Sequence, residues 1–256
     1  MLSRLRAAGL LLPTIMTLVS LAVLVSLGNW QMSRKYWKDG LVAQIAARSI
    51  SQPAALATVL DDFAARRDVE YTRLSVRGRF HNDGERFLYA PHPKLGPGYH
   101  VLTPFEITGA VASGHILFVN RGYVSEALRE RDRRKPGLVD GETLVVGLVR
   151  MPQAKATFTP PNQPAQNIWY WRDLSGLMAS AFPAGDRKLV PFMLDAEADP
   201  AAGARPPNAW PKGGATEVKL PNRHLEYALT WFGLAAALIA VYGVYAFGRL
   251  RATAAA

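Results

Sequence analysis

Two apolar runs at opposite ends of the chain constrain its fold more than any other feature. From Leu10 to Leu27 no residue is charged, and the only polar side chains are Thr14, Thr17, Ser20 and Ser26. From Tyr227 to Phe247 nothing is charged. At 1.5 Å per residue, helices of these lengths span about 27 and 31 Å, close to the ~30 Å hydrocarbon core of a bilayer. A helix inside a soluble domain is rarely apolar on every side for so long. Two crossings put both ends of the chain on one side of the membrane and the intervening stretch on the other. The first run starts after Arg4 and Arg6 like a signal peptide, but its apolar region outlasts the usual ~7–15 residues and reads as an uncleaved anchor.

The stretch between the runs has length for one domain with its own core. Past Leu27 the first helix is expected to continue, because Leu27, Trp30, Trp37, Leu41 and Ile45 recur at helical spacing, with Gly40 as a local weakness. A short helix is expected over 54–63. Strand-like runs follow at 71–80, 86–89, 99–107, 116–124, 142–149, 168–171 and 189–195, with Asn82-Asp83-Gly84 read as a hairpin turn between the first two. Asp173 is the expected N-cap of a helix over 173–181. Residues 200–221, rich in Pro, Gly and Ala, read as a linker back to the membrane. The expected fold class is a membrane α-helical hairpin of two transmembrane helices carrying an extramembranous β-rich α+β domain, an antiparallel sheet or small barrel. The expected boundaries are 1–28 for the N-terminal tail and first transmembrane helix, 29–223 for the external domain, 224–248 for the second transmembrane helix and 249–256 for the C-terminal tail.

Composition removes several function classes. The chain has no cysteine, which excludes disulfides, thiolate metal sites and Fe–S clusters. Net charge is +10, but the densest basic run, 129–135, contains two acids and no interleaved aromatics. It reads as a solvated turn, and no nucleic-acid partner is expected. There is no GxSxG elbow, HExxH helix, P-loop or Rossmann glycine pattern, so no enzyme is expected. Arg121, at the end of an apolar strand, is either an anion clamp or half of an ion pair at the sheet rim. Arg4, Arg6, Arg249 and Arg251 favour cytoplasmic termini. A mitochondrial presequence would be Arg- and Ser-rich and amphipathic, which this N-terminus is not, so the expected location is a bacterial inner membrane with the central domain periplasmic.

Of five histidines, His224 is set apart by its place three residues before the second apolar run. Tyr227 and Trp231 follow at i+3 and i+7, and a helical wheel adds Tyr242 and Tyr245 to that side. Gly233, Ala237 and Ala240 fall opposite, where small side chains would let the first helix pack. Two readings of the aromatic face stand side by side. One is an interfacial aromatic belt; the other is a flat apolar ligand stacked there, with the His224 imidazole free to ligate a metal. Trp30 and Arg34 fall at the same membrane depth, as belt and snorkelling anchors or as parts of that site.

Six segments, in order, resemble the SURF1/Shy1 family of cytochrome c oxidase assembly factors. They are GNWQMSRKYWKDGL from Gly28, Glu70-Tyr71 with Gly78 and Phe80, and Gly98-Tyr99 with Thr103-Pro104-Phe105. Asn120-Arg121-Gly122-Tyr123-Val124, WYWRDL and PNRHLEYALTWFG complete the series. The resemblance implies a membrane chaperone that assists insertion of haem a into oxidase subunit I, with haem a bound transiently through His224. Joined to the residue reading, Tyr227 and Trp231 are expected to pack on the porphyrin, with Trp30 completing the site at the same depth. Arg34, Lys38 or Arg223 pair with propionates. The expected partners are cytochrome c oxidase subunit I, haem A synthase and the lipid bilayer. The alternative is a scaffold that stabilises subunit I without touching haem.

Overall fold

A computed structural model describes residues 9–92, 95–197, 209–214 and 222–255. The chain divides into two compact units, Met1–Gln44 with Lys219–Ala256, and Ile45–Val218.

The second unit is built on eight strands: β1 (Ala54–Ala55), β2 (Arg73–Phe80), β3 (Arg86–Tyr89), β4 (Gly98–Ile107), β5 (Ile116–Ser125), β6 (Glu142–Arg150), β7 (Ile168–Trp169) and β8 (Leu189–Ala196). The sheet runs β1-β2-β6-β8-β5-β4-β3-β7, and a further β2–β4 pairing closes five of the strands into a barrel. All barrel neighbours are antiparallel except β5 and β8, which run parallel. A five-stranded Greek-key barrel of this kind is the architecture of the OB fold.

Alternation along the strands sets what is inside. Leu117 and Val119 of β5, Phe192 and Leu194 of β8, and Phe105 and Ile107 of β4 point into the barrel core. Helix α2 (Leu56–Ala64) adds Leu56 and Val59 to that core. The opposite face of β5 and β8, with Ile116, Phe118 and Met193, is covered by helix α3 (Leu174–Ala181) through Leu174 and Leu177. Strand β5 is therefore buried on both faces, which explains its unbroken apolar run. Asp173 caps α3 as expected, its carboxylate accepting from the Gly176 amide at 3.0 Å.

Two local expectations are corrected. Asn82–Gly84 forms a 3₁₀ turn, yet the strands on either side of it do not pair: β2 pairs with β1, β4 and β6, and β3 with β4 and β7. The tight hairpin turn needs left-handed backbone, and Gly84 does not supply it. The 200–221 linker falls mostly outside the described residues, but 209–214 is not free chain. Lys212 exchanges both backbone hydrogen bonds with Tyr123 of β5, at 3.0 and 3.1 Å. Gly122 sits at φ +113° beneath it, and any side chain there would overlap the Lys212 carbonyl.

The first unit is built on two long helices, α1 (Leu11–Ile50), whose last residues from Ile45 belong to the second unit, and α4 (His224–Ala255). Both are long and apolar enough to cross a membrane, compatible with a membrane anchor. Gly40 does not interrupt α1. A glycine costs about 1 kcal/mol against alanine in a helix, too little to break a helix of 40 residues.

A covered stripe runs along α1 through Leu10, Thr14, Thr17, Leu21, Leu24, Gly28, Gln31, Lys35 and Lys38. The steps alternate 4 and 3, the seven-residue repeat of a coiled-coil seam. On α4 the matching stripe is His224, Ala228, Trp231, Ala235, Leu238 and Tyr242. The seam is antiparallel: Thr14 meets the Tyr242 hydroxyl at one end and Gln31 meets His224 at the other. The expected packing face is thereby overturned. Gly233, Ala237 and Ala240 are exposed, and α1 packs on the side that carries His224 and Trp231. Small residues do mediate the approach, but they are Ala228, Ala235 and Gly28. A Cβ on Gly28 would lie 2.5 Å from the Phe232 ring.

Candidate functional site

The site is assembled where α4 begins. Asn222 opens it with an Asx turn, its Oδ1 accepting from the His224 amide at 3.3 Å. The same side chain donates to Asp39 Oδ1 at 2.7 Å, and Asp39 is held by Lys35 one turn back on α1, at 2.6 Å. The first residues of α4 are thus fastened to α1 by polar contacts. His224 follows, half-buried in the seam, with Nδ1 2.7 Å from Gln31 Oε1. Among the described residues, Nε2 has no hydrogen-bond partner.

The remaining expected site residues separate into three environments. Trp231, one heptad step below His224, is half-buried in the seam. Tyr227 is 54% exposed and Trp30 58% exposed, each on a flank of its helix. Arg34 stacks on the Trp37 ring, 4.1 Å from its centroid, and has no acidic partner among the described residues. Arg223 is paired with Glu226 at 3.0 Å, so its charge is already met on its own helix. In heptad terms Gln31, Arg34 and Trp30 lie successively further round one flank of α1, and His224, Tyr227 and Arg223 do the same on α4. Because the helices are antiparallel, flanks of the same sense lie on the same side of the pair. That side gathers one imidazole, two large aromatic rings and a guanidinium without a carboxylate partner. Tyr242 and Tyr245 do not join it: Tyr242 is in the seam against Thr14, and Tyr245 is exposed near the far end.

His224 is the one histidine of the hairpin. No cluster of three or more His, Cys, Asp or Glu side chains suited to a metal ion occurs among the described residues. A metal held here would therefore bring most of its coordination with it, as iron in a porphyrin does.

A second polar centre lies in the barrel unit and was missed by the sequence reading. Asp195 of β8, 2% exposed, accepts from Asn120 Nδ2 at 2.9 Å and meets Arg150 at 3.4 Å and Arg172 at 3.5 Å. Arg150 also pairs with Glu70 at 2.9 Å and lies over the Tyr71 ring. His100 sits where the β4–β5 register slips. Burial pushes its pKa below the ordinary imidazole value, with Asp195 opposing and Arg172 adding to the shift. A third group surrounds buried Glu85. Arg134 forks onto both of its oxygens, Arg121 approaches at 3.5 Å, and Arg121 also donates to the Gly137 carbonyl. Arg121 is therefore half of a buried ion pair and not an anion clamp. Arg134, from the basic run read as solvated, is 2% exposed. Most of the six sequence segments contribute a residue to these two centres or to the His224 seam.

This defines a class: a helical hairpin able to span a bilayer, joined along the chain to a five-stranded barrel domain, with a half-buried histidine on the hairpin. The profile of the SURF1 family matches residues 18–236. A SURF1-like protein of Monosiga brevicollis is 34% identical over 232 residues, covering 86% of this chain and 82% of its own. Surfeit locus protein 1 of Xenopus tropicalis is 33% identical, covering 83% and 68%. The human protein of that name is 31% identical, covering 82% and 70%. The chain belongs to the SURF1 family.

Proposed function

We infer that this protein binds haem a and assists its insertion into subunit I of cytochrome c oxidase, a specific form of the oxidase-assembly role that goes with its family. The observation that carries the reading is His224: half-buried, fixed through Nδ1, and with Nε2 unpartnered among the described residues. The neighbouring groups suit the cargo. Tyr227 and Trp30 offer apolar ring surface on the same side of the hairpin, and Arg34 offers a cation for a carboxylate. Arg223, engaged by Glu226, is the weaker candidate for that role. Trp231 supports His224 from within the seam. A ligand on the flank of a membrane hairpin is accessible from the lipid side, which suits transfer to a partner better than storage. Haem A synthase is the natural donor and subunit I the acceptor, with the protein acting as carrier and not as enzyme. The location proposed is a bacterial inner membrane, with both termini cytoplasmic and the barrel domain periplasmic.

The test is the absorption spectrum of detergent-purified protein co-expressed with haem a synthesis. Wild type is expected to show a red-shifted Soret band that His224→Ala abolishes while the protein still inserts. A colourless wild type that still captures subunit I would replace this reading with a scaffold.

A further inference from the structure

We propose that Gln31 is the positioning residue for His224, holding its imidazole in the tautomer protonated on Nδ1 so that Nε2 presents its lone pair. The inference rests on the haem-ligation reading above and deepens it. An amide oxygen has no proton to give, so at 2.7 Å from Gln31 Oε1 the ring nitrogen Nδ1 must be the donor. A neutral imidazole has one N–H, and placing it on Nδ1 leaves Nε2 as the free base. Metal-binding histidines are oriented in this way by a partner on the second ring nitrogen.

The placement of Gln31 supports a dedicated role. It occupies a seam position of α1, between Gly28 and Lys35, where a coiled-coil pattern would take an apolar residue. Asn222 fixes the backbone of His224 and is itself bonded to Asp39 of α1. Backbone and ring of His224 are thus both referred to the same helix, so its orientation is set by α1 and not by rotamer freedom. The chemistry of the acceptor matters too. A neutral amide draws less imidazolate character from the ring than a carboxylate would, so iron held at Nε2 would be bound less tightly, which suits a protein that must give its cargo up.

Two measurements on the detergent-solubilised full chain test this. In the ferrous haem-a complex, the iron–histidine stretch seen by resonance Raman is expected to rise in Gln31→Glu, which supplies an anionic acceptor. Gln31→Leu is expected to lower haem affinity about 10–100-fold. In the haem-free protein, ¹⁵N shifts of the His224 ring, assigned by difference against His224→Ala, should show Nδ1 protonated in wild type and a tautomer mixture in Gln31→Leu. A residue that only packed the hairpin would lower yield and leave both signals in place. If wild type binds haem through His224 while the stretch and the tautomer are unchanged in the variants, the positioning role is overturned and haem ligation stands. If wild type takes up no haem, the ligation reading falls, and the ¹⁵N shifts alone decide whether Gln31 sets the tautomer.

Discussion

Glu85, 5% exposed, faces the guanidinium groups of Arg121 and Arg134, which are equally shielded. Removing one member of such a group leaves uncompensated buried charge, which costs more than the intact group contributes. Glu85→Ala is therefore expected to lower stability by about 3–5 kcal/mol, read from denaturant unfolding of the solubilised protein. An unfolding midpoint equal to wild type would show that the three charges are hydrated. At the Asp195 centre the consequence is pH dependence. The His100 pKa is depressed in the folded chain by burial, so the unfolded chain takes up the proton first as pH falls. Stability is complete above the ordinary imidazole value of about 6.5 and declines as pH drops from there through the folded value. The melting temperature of wild type should fall across that interval, and that of His100→Gln should fall less. Parallel curves would remove His100 as the cause. Neither centre was legible from sequence. Glu85 and Arg134 are 49 positions apart, Asn120 and Asp195 are 75 apart, and nothing local marks Arg134 as the buried member of a basic run.

Elements were far more legible, because periodicity is a local property. The expected strands at 86–89, 99–107, 116–124, 142–149 and 189–195 match β3, β4, β5, β6 and β8 to within one residue at each end. The expected helix at 54–63 is α2 within two. Which elements pair was less accessible: β2 and β3 are consecutive yet unpaired, since β2 finds its long antiparallel ladder with β6 and β3 pairs along its length with β4. On α4 the helical wheel assigns the packing face to Gly233, Ala237 and Ala240, which are exposed. The seam follows the 4-3 repeat shared with α1, because only a repeat present on both helices keeps them in register over several turns. Gly28 is the close-approach point of that seam. Gly28→Leu should force Phe232 aside and separate the helices around His224. With no native cysteine, Leu21→Cys and Ala235→Cys, seam positions within a heptad of Gly28 and Phe232, can be bridged by a short bismaleimide. The yield is expected to drop severalfold in Gly28→Leu, and an unchanged yield would show that the helices accommodate the side chain.

At the scale of the whole molecule, the two spans fix a topology that can be read chemically. Phe158 is 98% exposed in the barrel unit and Thr253 lies in the last turns of α4. In spheroplasts, an impermeant maleimide is expected to label Phe158→Cys directly and Thr253→Cys only after permeabilisation. The reverse pattern would invert the proposed orientation, and labelling of both in intact spheroplasts would contradict a two-span hairpin.

The sequence by itself determined the two long apolar helices, the β-rich character of the domain between them and most of its strand positions. Each follows from composition or short-range periodicity, which water and lipid impose on any chain. Only the tertiary structure decided that the barrel closes through β2 and β4, that Glu85 and Asp195 gather their arginines, and that Gln31 stands against His224. These depend on pairings between residues tens to nearly two hundred positions apart, and burial of a charge or the tautomer of a ring is set by those partners and not by its own neighbours in the chain.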